Sequence, residues 1–217
     1  MSAYSPPPDL GLTVIHVDTE IVVVDKPAGL LSVPGRGAGM DDCLASRVQA
    51  RFADALIAHR LDMSTSGLLV LARGAEMHRQ LSRFFRERRI DKRYLAVVDG
   101  LIADEGGEID LPLICDWPNR PRQKVDHDIG KPSQTRFRVV GRDLQANTTR
   151  VELEPITGRS HQLRVHMMML GHPILGDDLY GGEACAKAGR LLLHAMDLGL
   201  FHPRTDVPVR FHSDPPF

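Results

Sequence analysis

The chain is short of cysteine, of long apolar runs and of net charge, and each shortage removes a class of protein. Its three cysteines, Cys43, Cys115 and Cys185, stand about 70 residues apart with no C-x-x-C pair. That spacing suits neither a zinc site nor a disulfide framework, and the odd count fits a reducing compartment. The longest apolar stretches, such as residues 67–72, fall far below the roughly 20 residues that span a bilayer. Residues 1–8 have no basic or apolar signal region and are not read as a signal peptide. A cytoplasmic protein with no membrane partner is expected. The formal net charge is -1, from 27 basic and 28 acidic residues, without the basic surplus usual in nucleic-acid binders.

Standard motifs are also missing. There is no G-x-x-x-x-G-K-[ST] phosphate loop and no H-E-x-x-H. Residues 35–39 (GRGAG) lack dinucleotide spacing, and Gly158-Arg-Ser-His-Gln162 has glutamine where a nucleophile elbow needs its second glycine. Asp126-His-Asp128 begins like a calcium loop but places Lys131 at the turn-glycine position. His161 and His166 are five apart, on different helix faces. No metal and no cofactor are expected.

The 217 residues, 42% of them hydrophobic, suit one domain or at most two small ones. A proline-rich tail over 1–11 is expected to be flexible, and 12–217 to form a single domain. Residues 12–24 read as two short strands broken near Asp18. Residues 41–52 read as a helix with Asp41 as N-cap and Leu44, Val48 and Phe52 at four-residue spacing. Residues 75–88 form the clearest amphipathic helix, with Met77, Leu81, Phe84 and Phe85 on one face. Strands are expected at 68–71, 92–98, 150–153, 191–202 and 207–211, and a helix at 160–170 with Leu163, Met167 and Leu170 on one face, ended by Gly171. Residues 106–141 read as loops around short strands. The pattern favours α+β, with a mixed or antiparallel sheet flanked by helices.

Asp62 stands out. It precedes an apolar strand and is flanked by His59, Arg60, Ser64, Thr65 and Ser66. An Asx-turn at a strand start explains such an aspartate without chemistry. A carboxylate kept ionised by donors and a cation can equally serve as nucleophile or base.

The run HRLDMSTSGLLVLA over 59–72 resembles the H-R-L-D-x-x-T-S-G-L-L-V-x-A signature of RluA-type pseudouridine synthases. Asp25-Lys-Pro-Ala-Gly-Leu30, Lys92-Arg-Tyr-Leu-Ala96 and Thr157-Gly-Arg-Ser-His-Gln-Leu-Arg-Val-His166 resemble further blocks of that family, in order. So do Gly171-His-Pro-Ile-Leu-Gly-Asp177, Tyr180-Gly181 and Leu193-His-Ala195. Together they cover roughly residues 12–203. Residues 111–121 (LPLICDWPNRP) resemble the RluA subgroup, which acts on both transfer RNA and large-subunit ribosomal RNA. The resemblance implies the pseudouridine-synthase fold with an RNA-binding cleft. It implies a cofactor-independent isomerisation of uridine 32 in the tRNA anticodon loop and uridine 746 in a 23S rRNA hairpin. Single-substrate members of the family are the alternative, as is a noncatalytic RNA-folding module.

Carried onto this chain, the resemblance makes Asp62 the catalytic aspartate. Tyr94 becomes the aromatic that stacks on the uracil and serves as general base, and Arg164 the basic partner of Asp62. A strand aromatic and a solvated helix cation are the plain readings of Tyr94 and Arg164. In the implied reaction C1′–N1 breaks, the uracil rotates and C1′–C5 forms. Attack on the sugar, addition to the ring and a glycal route all need Asp62 ionised. The base must leave its stack, and Arg60 is a candidate to brace the vacated space. A nucleobase-cleaving glycosidase is the nearest rival enzyme.

Counted by segment, the charge is uneven: residues 79–93 and 117–142 each carry +5 net, leaving -11 elsewhere. Such runs are often just solvated faces. Because both flank Tyr94 in sequence, they are read as phosphate contacts. The RNA-binding candidates are His59, Arg60, Arg79, Arg83, Arg86, Arg89, Lys92, Arg120, Arg122, Lys124, Arg159 and His161. A monomer is expected.

Overall fold

The protein is described here by a computed structural model covering residues 4–217; residues 1–3 of the expected tail lie outside the described residues. Tail residues beyond these are tied down. The Tyr4 hydroxyl donates to the Asp42 carbonyl (2.9 Å) and accepts from the Leu31 N–H (3.1 Å), and Arg47 Nη2 donates to the Pro7 carbonyl (2.7 Å). The chain is α+β and divides into two compact units. One comprises residues up to Lys92 with Ala195–Pro216, the other Arg93–His194 with Phe217.

The first unit is built on β1 (Thr13–Val17), β2 (Ile21–Lys26), β3 (Ala55–Ile57), β4 (Ser66–Arg73), and, from the chain's end, β11 (Leu193–Phe201) and β12 (Pro208–His212). Their order is β1-β2-β4-β11-β12, with β3 also on β4. The pairings β1–β2, β2–β4, β3–β4 and β11–β12 are antiparallel. In β4 every residue from Ser66 to Ala72 is buried, which is why that stretch reads as a continuous apolar run rather than an alternation. Two helices belong to this unit, α1 (Leu44–Arg51) and α2 (Gly74–Arg86). Met77, Leu81 and Phe84 of α2 pack into a core with Ile21, Val23, Leu68, Val70 and Leu198. Each such side chain contributes about 1.5–3 kcal/mol through burial. The α1 cap is Cys43, not Asp41. Cys43 Sγ accepts the Ser46 N–H and Ser46 Oγ accepts the Cys43 N–H, a capping box made with a thiol.

The β1–β2 turn is held by Asp18. Its carboxylate accepts the N–H groups of Glu20 (2.7 Å) and Ile21 (2.8 Å) through one oxygen, and His16 (2.6 Å) and His202 (3.1 Å) through the other. Burial works against the ionised form, but the hydrogen bonds from His16, Ile21, Glu20 and His202 outweigh it and hold the pKa down at about 2. With the folded pKa below the usual 3.8, this stabilisation is complete above pH 3.8 and is lost as pH falls through about 2. Asp18→Asn is therefore expected to cost about 2 kcal/mol at neutral pH. Denaturant unfolding at stepped pH should show the gap to the parent closing in acid.

The second unit is built on β5 (Asp91–Asp99), β6 (Gly106–Asp110), β9 (Gln134–Asp143) and β10 (Thr148–Pro155), all antiparallel in the order β5-β10-β9-β6. A separate hairpin pairs β7 (Leu113–Cys115) with β8 (Gln123–Val125). The ten-residue β9 lies largely where only short strands among loops were expected. Thr135, Phe137 and Val139 point inward while Arg136 and Arg138 face solvent, so its outer face disguises the alternation. The third helix, α3 (Gln162–Met169), is buried from Gln162 to Met167. It starts two residues later than expected, after His161 in the left-handed region (φ 54). Leu163 and Met167 are in the core, but Leu170 caps the helix and is 37% exposed; Gly171 follows at φ 86 as the C′ residue.

Candidate active site

In the first unit, Asp62 lies on the segment joining β3 to β4, and both of its neighbours are pinned. Lys26, at the end of β2, is 0% exposed. Its ammonium donates to the carbonyls of Pro27 (2.9 Å), Leu30 (2.8 Å) and Met63 (3.1 Å), and the Gly29 N–H donates to the Met63 carbonyl (2.8 Å). On the other side, Ser32 Oγ donates to the Leu61 carbonyl (2.7 Å) and accepts the Leu61 N–H (3.1 Å). The block at 25–32 thus fixes the backbone before and after Asp62. A buried ammonium satisfied by carbonyls is costly to disturb. Lys26 and Ser32 were not among the expected site residues. The quoted Asp25–Leu30 block contains Lys26, but nothing in its spacing reveals that it bonds Met63.

Asp62 itself is half-buried, and its carbonyl accepts the Thr65 N–H (3.2 Å), closing a turn. The turn is thus closed by the Asp62 backbone. Gly67 then lies so close to β11 that an added Cβ would stand 2.4 Å from the Ala195 carbonyl oxygen, at φ +113. Only glycine fits there. Arg60 is exposed.

His59 is half-buried and its ring is engaged within the first unit. Its Nε2 accepts the Val70 N–H (3.1 Å) and its ring stacks on Phe85 at 4.2 Å. Burial, with a contribution from the Lys92 charge, pushes its pKa down to about 3, so the ring is neutral at physiological pH and serves packing. Lys92 is half-buried, with its pKa lowered by burial and by Arg88. Arg79, Arg83, Arg86 and Arg89 are exposed along and beyond α2. Arg83 and Arg89 both stand near Glu87, at 3.9 and 4.0 Å.

In the second unit, Tyr94 on β5 faces Leu153 of β10 and packs, half-buried, against the core around Ala96, Leu163 and Met167. Arg164 is not a solvated helix cation; it is 3% exposed. Its Nε and Nη2 make a two-pronged bond to Asp177 (2.8 and 2.7 Å), and Nη2 also reaches Asp178 (2.9 Å). Asp177, 0% exposed, accepts the Leu179 and Tyr180 N–H groups as well (3.0 and 2.9 Å). Tyr180 completes the cluster. Its hydroxyl accepts the Gln123 N–H (2.7 Å) and pairs with His161 Nδ1 (2.7 Å), while Arg122 and Arg164 lie 5.4 and 5.3 Å from its ring centre. The structure thus brings Arg122, His161 and Arg164 together around a tyrosine.

The second basic run is less free than its count suggests. Arg136 pairs with Glu108, Arg138 with Glu152 and Arg142 with Glu105, all acids outside the run. Arg120, Arg122 and Lys124 remain exposed, with Arg120 stacked over Trp117 at 4.5 Å and Lys124 at 3.6 Å from Asp126. Arg159 is exposed and donates to the Pro132 carbonyl (3.2 Å).

Residues 20–168 match the model of the family described as RNA pseudouridylate synthase. The chain is 52% identical over 207 residues to the dual-specificity RNA pseudouridine synthase RluA of Yersinia pestis, covering 95% of this chain and all of the relative. It is 50% identical over 218 residues to the protein of the same name in Escherichia coli K12, covering 100% and 99%. Among solved structures, human RNA pseudouridylate synthase domain containing 1 superposes with a TM-score of 0.81 at 30% identity, covering 98% of this chain and 87% of that one.

Proposed function

The chain belongs to the RNA pseudouridylate synthase family and is an RNA-modifying isomerase, and from that premise we propose that it acts on both a transfer-RNA anticodon stem-loop and a large-subunit rRNA hairpin. The observation that carries this reading is identity of about one half along essentially the whole length of two relatives named for dual specificity. In it, Asp62 is the catalytic aspartate, Tyr94 the aromatic that stacks on the uracil and moves a proton, and Arg164 the basic residue of the site. Arg60, exposed beside Asp62 on a pinned loop, braces the stack that the target base leaves. The fixed backbone around Asp62 supports this, since a reacting carboxylate gains from being positioned in advance.

The test is incubation of the purified protein with the two RNAs, followed by nucleoside chromatography. Pseudouridine at one uridine in each, with no free uracil, is the expected result. Free uracil would point to a glycosidase, and modification of one RNA alone would remove the dual specificity.

Phosphate contacts are assigned to Arg79, Arg83, Arg86 and Arg89 in one unit, and to Arg120, Arg122, Lys124 and Arg159 in the other. Affinity should then fall steeply with salt. Arg86→Ala is expected to flatten the slope of log affinity against log salt by about one. An unchanged slope in a fluorescence-anisotropy titration would remove Arg86 from the interface.

A further inference from the structure

Thr65 is 2% exposed, and its hydroxyl is the one buried side-chain polar atom among the described residues that has no hydrogen-bond partner. A buried hydroxyl without a partner destabilises a fold, and valine, of the same shape, would avoid the cost. The backbone cannot shift to satisfy it. The Thr65 N–H is bonded to the Asp62 carbonyl (3.2 Å), and two residues on, Gly67 is pressed against Ala195. Only rotation of side chains can give this hydroxyl an acceptor.

The acceptor within reach is set by the turn. Elsewhere among the described residues a carboxylate at position i accepts the backbone N–H of residue i+3 four times: Asp18 from Ile21 (2.8 Å), Asp126 from Ile129 (3.1 Å), Asp143 from Ala146 (3.0 Å) and Asp177 from Tyr180 (2.9 Å). The Asp116 carboxylate likewise accepts the Asn119 side-chain amide (2.9 Å). Asp62 and Thr65 have that same spacing in a turn closed by their own backbone hydrogen bond. We propose that Thr65 is a positioning residue whose hydroxyl donates a hydrogen bond to the Asp62 carboxylate when RNA is bound, fixing its direction toward the target nucleotide. This rests on the catalytic role given to Asp62. The partner is made only in the working complex, so the free enzyme carries the unsatisfied group.

The test compares Thr65→Val, Thr65→Ser and Asp62→Asn in single-turnover modification, RNA binding and thermal unfolding. Thr65→Val is expected to melt higher, by about 2–6 °C, to bind RNA within about twofold of the parent, and to react about 10- to 100-fold more slowly, as for a lost bond to a charged group. Thr65→Ser, which keeps the hydroxyl, is expected to recover most of the rate. A Thr65→Val enzyme as fast as the parent overturns the inference. So does one that is slow and less stable with Thr65→Ser equally slow, because the hydroxyl then serves only the fold. Should Thr65→Val not fold, the Thr65→Ser and Thr65→Ala rates decide: equal values overturn the proposal. An active Asp62→Asn enzyme would remove the reading of Asp62 itself, whatever Thr65 does.

Discussion

Asp62→Asn is expected to slow single-turnover pseudouridine formation by at least about 10⁴-fold, while the RNA dissociation constant moves by no more than about twofold. An asparagine has the shape of aspartate but no anionic oxygen to attack the sugar, add to the ring or take a proton. Its backbone would stay where it is, because Leu61 is held by Ser32 and Met63 by Lys26 and Gly29, none of which needs the Asp62 side chain. The change also removes a negative charge from a protein that binds phosphates, so binding has no electrostatic reason to weaken. Tritium released from RNA labelled at uridine C5 reads the chemistry, and anisotropy reads the binding. Substantial residual turnover would assign the reacting carboxylate elsewhere.

Asp177→Asn is expected to destabilise the protein by about 3–5 kcal/mol, because it removes the fully buried carboxylate that holds the Arg164 guanidinium by two hydrogen bonds. For a chain of this size that lowers the melting temperature by roughly 6–20 °C. Asp178 does not replace the loss, being 59% exposed where Asp177 is fully buried. The converse experiment separates stability from chemistry. Arg164→Met with Asp177→Leu removes both charges and fills the space with apolar atoms. Because it also leaves the Leu179 and Tyr180 N–H groups without their acceptor, it is expected to regain part of the stability. It should remain without activity if Arg164 is needed for the reaction. Calorimetry and tritium release on the single and double variants give both answers, and an active double variant would reduce Arg164 to a structural residue.

The sequence was informative where one residue type must stand at one place. Gly67 is required by an approach of 2.4 Å to a backbone oxygen, and its place five residues after Asp62 belongs to the run that carries the family resemblance. The helix at 74–86 was legible because burial on one face imposes a period that survives in a linear string. β9 was not, because its arginines make the exposed half of the alternation look like a charged loop until they are paired with Glu108 and Glu152. The α1 cap was misplaced for a related reason. Any of several residues near 41–43 could begin a helix, and the choice of Cys43 is made by its reciprocal bonds with Ser46.

By itself, then, the sequence determined the family, the α+β class and the reaction, since these depend on residues in fixed local order, and it singled out Asp62 for the test above. Only the tertiary structure decided which charges are available. It made His59 a neutral packing group, tied Arg136, Arg138 and Arg142 to acids on other segments, and buried Arg164 against Asp177 thirteen residues away. It also showed Lys26 reaching across 37 residues to hold Met63 beside Asp62. The physical reason is common to all of these. Charge and hydrogen bonding are satisfied through space over a few ångströms, and a distance of that size between distant residues is written nowhere in their order.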